Sequence, residues 1–314
     1  MDQSALLTRT WKILWKHKML YLIGLAHIMV FFLPSLIFTI FTLTSLDWLK
    51  HWVINGVESL QDLPVYGWIL IGLALLIGFA LYLYLALSFR AALLQGAWLA
   101  ETDETGTFSF SQLWSLGQSR VLRLILLPLL VWGVFGIGWV VAVPALVFAL
   151  ELEMYWMFCL VLPLIIIMGI VMMILQIISQ MGNAGIVGEN LGVIAALKRA
   201  WNLAGQNKVS VGLLMVLLTV INYGVSMVIQ TPPSILTGLL PSFGSGSDTM
   251  DIILIITLVT ILVSVLYAGV FTSFNDTAWI VAFRRLSHPP EPIGAEAHAE
   301  QSNPTTGEPL VVLD

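Results

Sequence analysis

Long apolar runs separated by short polar stretches dominate the chain. They fall near residues 19–44, 66–89, 121–149, 155–181, 209–229 and 252–274. Runs of about 20 apolar residues cross the ~30 Å hydrocarbon core of a bilayer as helices, so the pattern predicts six transmembrane spans. The runs are continuous rather than alternating, which disfavours a membrane β-barrel. The sixth run has an alternative reading as one helix continuing toward Arg284 and Arg285. Pro34, Pro128, Pro144 and Pro163 lie within or near the ends of runs. A proline there lacks an amide donor and kinks the helix, serving either packing geometry or a gating hinge.

Three runs are preceded by a segment of mixed polarity with helical period. The first sets Leu6, Leu7, Trp11, Leu14 and Trp15 against Arg9, Lys12 and Lys16. The second has Phe110, Leu113, Trp114 and Leu116 leading to Arg120 and Arg123. The third, from Leu191 to Ala204, sets Ile194, Leu197 and Trp201 against Lys198 and Arg199. A helix with Trp and Leu on one face and Lys or Arg on the other lies in the headgroup layer. Each segment also places a basic residue about seven positions after a tryptophan: Trp11 to Lys18, Trp114 to Arg120, Trp201 to Lys208. The predicted fold is therefore all-α and polytopic, with six transmembrane helices forming three hairpins. Each hairpin follows a cytoplasmic interfacial helix, giving a parallel repeat of about 100 residues. Trp11, Trp15, Trp114, Trp201, Lys198 and Arg199 are the expected anchors. Anchoring and topology explain them plainly; recognition of a lipid or a partner helix is the sharper reading.

Charge orients this arrangement. With Arg123, at the start of the third run, counted with the stretch before it, the seven stretches around the spans carry, in order, four, one, three, no, three, no and two of the thirteen Lys and Arg residues. Short loops rich in Lys and Arg stay cytoplasmic, so both chain ends are expected inside. The first run is too long for a cleaved signal peptide and has no small-residue cleavage site. Fifty-nine percent hydrophobic and ten percent charged residues exclude an ordinary soluble domain. No basic patch suits nucleic acid. The inner cations suit anionic lipid, at roughly 1 kcal/mol each near the surface. Cys159 is the single cysteine, which excludes an intrachain disulfide.

Residues 46–62 alternate Leu49, Trp52, Val53, Val57 and Leu60 with charged positions, and read as an outer interfacial helix. Residues 287–314 are too polar and Pro-rich to fold, and form a predicted disordered tail. Their apolar end, Leu310 to Leu313, is a docking peptide or a neutral terminus.

Polar residues at depth are costly and serve as functional leads. His27 lies nine residues beyond Lys18, roughly 13 Å along a helix at 1.5 Å per residue. A helix-to-helix hydrogen bond is its plain role and a proton relay its sharper one. Arg90 ends the second predicted span, Glu189 opens the segment at Leu191, and Asp276 follows Asn275 near the inner interface. These four residues form a candidate ion-pair layer or, alternatively, a gate. Gln176, Gln180 and Asn222 can bridge helices, at about 0.6 kcal/mol per bond. Small residues four apart, Ala74 with Gly78 and Gly138 with Ala142, permit close helix approach. Gly182, Gly185 and Gly188 read as a flexible turn after the fourth span, without the ending of a phosphate loop. Glu151 and Glu153 share an outer loop that is either a solvated turn or a cation site. No HExxH pair, G-x-S-x-G elbow or cofactor motif occurs.

The stretch from Val187 to Leu203, VGENLGVIAALKRAWNL, resembles a recurring segment of uncharacterised bacterial multi-pass proteins. These are related to the membrane domain of some glycerophosphodiester phosphodiesterases. The opening from Thr10 to Gly24, TWKILWKHKMLYLIG, is similar to the start of such proteins. The resemblance covers residues 1–286 in layout and implies a six-helix protein of the bacterial cytoplasmic membrane. Phosphodiesterase activity does not carry over, since no histidine here is followed by Arg-Gly.

The expected function is that of a non-enzymatic scaffold or partner subunit working with a second membrane protein. It rests on three amphipathic inner helices, a short outer surface and the expected lack of buried charge pairs. The main alternative is a transporter or lipid-handling permease with a path between the hairpins, lined by His27, Gln176, Asn222 and Asp276. An intramembrane enzyme is the third class.

Overall fold

The computed structural model describes residues 2–43, 64–103, 108–133, 158–239 and 247–288, with the isolated positions Gly106, Gly136 and Val147. Among these residues the regular structure is all helix: α1 (Gln3–Lys16), α2 (Met19–Leu43), α3 (Val65–Thr102) and α4 (Phe110–Gln118). There follow α5 (Val121–Gly133), α6 (Phe158–Gly188), α7 (Val193–Gln206), α8 (Lys208–Leu239) and α9 (Ser247–Ser287). Four helices are long and apolar enough to cross a membrane, or six if each of two bent pairs counts as one span. The chain is a multi-pass membrane protein.

The short helices end where the character of the sequence changes. A straight continuation would carry the polar face of α1, α4 or α7 into hydrocarbon along with the apolar run that follows. The chain turns instead. The axes of α1 and α2 meet at 91° across His17 and Lys18, and those of α4 and α5 at 57° across Ser119 and Arg120. α7 gives way to α8 at Asn207, whose amide still donates to the Leu203 carbonyl. Lys18, Arg120 and Lys208 thus hold the same position in three units. Local caps define the other ends. The Asp2 side chain accepts from the amides of Ser4 and Ala5. Ser109 and Gln112 form a reciprocal capping box at α4.

Packing follows a cyclic rule. The second long helices of the three units, α3, α6 and α9, pack on one another pairwise. Each short helix lies on the long helix of the preceding unit: α4 on α3, α7 on α6, and α1 on α9. α2 packs between α9 and α3, and α8 between α6 and α9. α5 reaches both α3 and α6, since Leu124 lies with Leu87, Leu94 and Asn183. Leu127 meets Gly182.

The buried core occupies one end of this bundle. It contains residues 91–97 of α3, 181–187 of α6 and 276–283 of α9, with Leu6, Leu14, Leu113, Ala196 and Ala200 from the short helices. Residues 68–81 of α3 are instead almost wholly exposed and apolar, as lipid-facing helix is.

Several expected boundaries are corrected. The second span does not stop at Arg90: α3 runs 38 residues to Thr102, about 57 Å at 1.5 Å per residue. Arg90 is neutralised inside the bundle, and Ala91 to Ala100 is a run of good helix formers with a packed surface to cover. The glycines at 182, 185 and 188 are no turn but lie within α6. There they admit Leu127, Phe283 and Trp98 respectively. A Cβ added at Gly78 would meet nothing within 4 Å among the described residues, so the Ala74–Gly78 pair makes no close helix contact there. α9 continues unbroken past Arg284 and Arg285. The proposed outer helix at 46–62, Pro144, Gly138, Ala142, Glu151, Glu153 and the tail beyond His288 lie outside the described residues.

Candidate functional site

The three central helices bring polar side chains together in a single cluster. Arg90 of α3 donates from Nε to Oδ2 of Asp276 at 3.1 Å and from Nη2 to Oδ1 at 3.2 Å. Nη2 also donates to Oε1 of Gln180 on α6 at 3.0 Å. Asn275 donates to Asp276 Oδ1 at 3.5 Å. Asp276 is only 1% exposed and the Arg90 side chain 22%. The guanidinium fork and carboxylate match in a planar bidentate pair, and Gln180 closes the triangle. The expectation of no buried charge pair is therefore overturned. The pair is tolerated at this depth because both carboxylate oxygens have donors and the cation has two acceptors. The space beside it, bounded by Leu87, Arg90, Leu94, Leu124 and Asn183, is too narrow to hold a water.

Glu189 does not join this cluster. It follows the end of α6 and approaches Arg199 of α7 at 3.5 Å, whereas α7 begins at Val193 behind Gly192. A second layer of polar contacts knits the same end of the bundle. Glu101, near the end of α3, takes Arg9 of α1 at 3.0 Å and Arg284 of α9 at 3.8 Å. The Arg284 guanidinium also donates to the Glu101 carbonyl. Arg120 turns inward to Gln95 Oε1 and to the Val187 carbonyl, joining α3 and α6 at the start of α5. Arg123 donates to the Asn190 side chain at 3.0 Å. Asn190 holds a left-handed φ of 51°, a conformation that asparagine tolerates better than most residues.

The remaining leads separate. His27 is buried, and its Nδ1 lies 2.8 Å from the Ala86 carbonyl. A carbonyl only accepts, so Nδ1 carries the proton and joins α2 to α3. Gln176 is exposed on α6. Asn222 accepts from the Tyr267 hydroxyl at 3.3 Å. It lines a half-open cavity of about 370 Å³ with Ser226, Gln230, Ser264, Tyr267 and Thr272. Of the four residues that a transport path would gather, Asn222 alone lines this cavity.

The tryptophans differ by unit. Trp11 stacks on Trp15 with centroids 5.8 Å apart and meets Phe274 of α9 edge-on. Trp114 is half-buried against Phe89 and Phe110. Trp201 is 60% exposed. Lys198 is exposed, and Arg199 pairs with Glu189 as above.

Glu101 and Gln95 escaped sequence reading because both lie beyond the end assigned to the second span. A helical register carried on from Arg90 would have placed them. Among the described residues no three His, Cys, Asp or Glu side chains gather as a metal site would need. No family model matches the chain, and no curated protein or solved structure matches it.

Proposed function

We propose that the protein is a non-enzymatic scaffold or partner subunit of a bacterial cytoplasmic membrane. In this reading six spans form three hairpins, both termini are cytoplasmic, and the polar end of the bundle is the inner collar. The closed Arg90–Gln180–Asp276 cluster carries the proposal. A membrane protein that moves ions or catalyses a reaction leaves ionisable groups facing water or substrate. Here the deep charges satisfy each other, with Asp276 only 1% exposed and both of its carboxylate oxygens bonded to Arg90. The charged and aromatic surface left over lies on α1 and α7, where Trp15, Lys198 and Trp201 are exposed. That surface suits lipid headgroups and a protein partner. Purification of the full chain in mild detergent should recover a stoichiometric partner. Repeated recovery of a bare, lipid-free monomer would overturn the reading.

A permease is the second reading, supported by the polar-lined cavity at Asn222 and Tyr267. It requires that Asn222→Leu abolish uptake of some solute by cells. Under the scaffold reading this substitution changes no flux.

A further inference from the structure

The three units are not equally closed, and the difference is concentrated at one seam. Each first span follows a short helix and runs beside the long helix of the preceding unit. In the first unit α2 packs closely along α9: a side chain at Gly24 would collide with Ser273 and the Gly269 carbonyl. In the second, Leu124 of α5 lies with Leu87 and Leu94 of α3, and Arg120 is drawn inward to Gln95 and Val187. The third seam is open. α8 touches α6 over only a short stretch, and a Cβ added at Gly205 or Gly212 would meet nothing within 4 Å among the described residues.

A groove of about 580 Å³ lies there, with Ile170, Met173, Ile174 and Ile177 of α6 on one wall and Trp201 and Lys208 at the end nearest the short helix. Its walls are almost wholly apolar. Lys208 occupies the position of Arg120 but makes no ion pair among the described residues. It opens α8, where the first backbone amides lack helical acceptors and the helix dipole favours an anion.

We propose that this groove binds one anionic phospholipid, with an acyl chain along α6 and α8 and its phosphate at Lys208. Charge and shape select this occupant over a partner helix. A single cation at the interface, with a tryptophan beside it and only hydrocarbon-like side chains below, matches one headgroup above one chain. The site requires only that the short helices lie at the bilayer surface. It adds a ligand to the scaffold reading.

The test uses the full chain inserted into vesicles of equal parts phosphatidylglycerol and phosphatidylcholine, then released for native mass spectrometry. Wild type should retain one phosphatidylglycerol in about five-fold preference, the equivalent of about 1 kcal/mol from one interfacial lysine. Lys208→Gln should bring the two lipids to parity. Gly212→Leu, whose Cβ would meet nothing within 4 Å among the described residues, should obstruct the groove and lose both lipids while the melting temperature holds. Lys198→Gln, outside the groove, should behave as wild type. Parity in an inserted wild type overturns the site, as does preference that survives Lys208→Gln or lipid that survives Gly212→Leu. A polypeptide retained in place of the lipid also overturns it, in favour of a partner helix. A wild type that fails to insert overturns the membrane placement and the site together.

Discussion

Replacing Arg90 and Asp276, singly and together, tests whether the central cluster holds the three units in place. Removing one member of a buried ion pair strands the other charge, at a cost of about 3–5 kcal/mol. Arg90 retains its bond to Gln180 and has 22% of its side chain exposed, so Asp276→Leu should cost about 3 kcal/mol, the lower end of that range. Arg90→Met should cost more, about 4–5 kcal/mol, because Asp276 is 1% exposed and loses both of its guanidinium donors. The double variant exchanges a paired polar site for an apolar one. Such exchanges are often neutral or stabilising, so most of the loss should be recovered.

The assay is equilibrium unfolding of the full chain in mixed micelles, titrated with sodium dodecyl sulfate and followed by tryptophan fluorescence. Trp279 is buried one turn along α9 from Asp276 and is well placed to report loss of the cluster. The coupling between the two sites should be several kcal/mol, far outside the ~0.3–0.5 kcal/mol within which independent sites add. Single costs that sum to the double would show that the pair is not a structural unit, and the argument from a closed cluster would fail.

Gly117→Ala sets two effects against each other. Alanine is the better helix former by about 1 kcal/mol, but its Cβ would lie 2.7 Å from the Ala92 amide nitrogen, on a backbone that cannot swing aside. Overpacking of about 1–3 kcal/mol should win and lower the melting temperature, whereas Gly78→Ala, in open space, should not. His17, between α1 and α2, has its pKa lowered by burial and then by Lys16, with Asp103 opposing. Its neutral form belongs to the folded state, so this contribution is present above the ordinary histidine pKa of about 6.5 and is lost as pH falls through the lower folded value. Amide protection of α1, exchange corrected for its intrinsic pH dependence, should fall on acidification and lose that fall in His17→Phe. Reporter fusions after Gly106, Gly205 and Leu286 should read inside, and those after Asp62, Glu153 and Gly246 outside. Any inversion of this alternation refutes the orientation.

Hydropathy period made the helical class legible, because a bilayer requires runs of fixed length. It also located the three short helices to within a few residues, since a Trp–Leu face opposed to cations signals an interface wherever it falls. The collar was harder to read. Charge ordinarily marks exit from the membrane, and Arg90 departs from that rule because partners about 90 and 186 residues away neutralise it inside the bundle. The same rule hid Gln95 and Glu101. The glycines at 182, 185 and 188 misled for a related reason: glycine marks a turn in water, but also any place where helices approach closely. Only tertiary contacts decide between the two. Which seam stays open was not legible at all, because Lys18, Arg120 and Lys208 hold the same place in sequence and differ only in what packs around them.

The central cluster requires that α3, α6 and α9 carry different residues where they meet. Arg90, Gln180 and Asp276 stand at corresponding places on α3, α6 and α9, facing one point. Three arginines or three aspartates there would repel, and three glutamines would gain only about 0.6 kcal/mol per bond. One cation, one anion and one amide give zero net charge with matched donors and acceptors, so the three positions must differ where they meet. Gln180 suits either polarity, because its amide both donates and accepts. Reversing the pair, Arg90→Asp with Asp276→Arg, should therefore restore stability lost in either single reversal, each of which brings like charges together and costs at least about 3–5 kcal/mol. Recovery should be partial, since position 276 is closed while position 90 has an outlet. The same micelle titration reads it. A double reversal no more stable than the weaker single one would mean that the site is shaped for one polarity, and that the three positions are not equivalent.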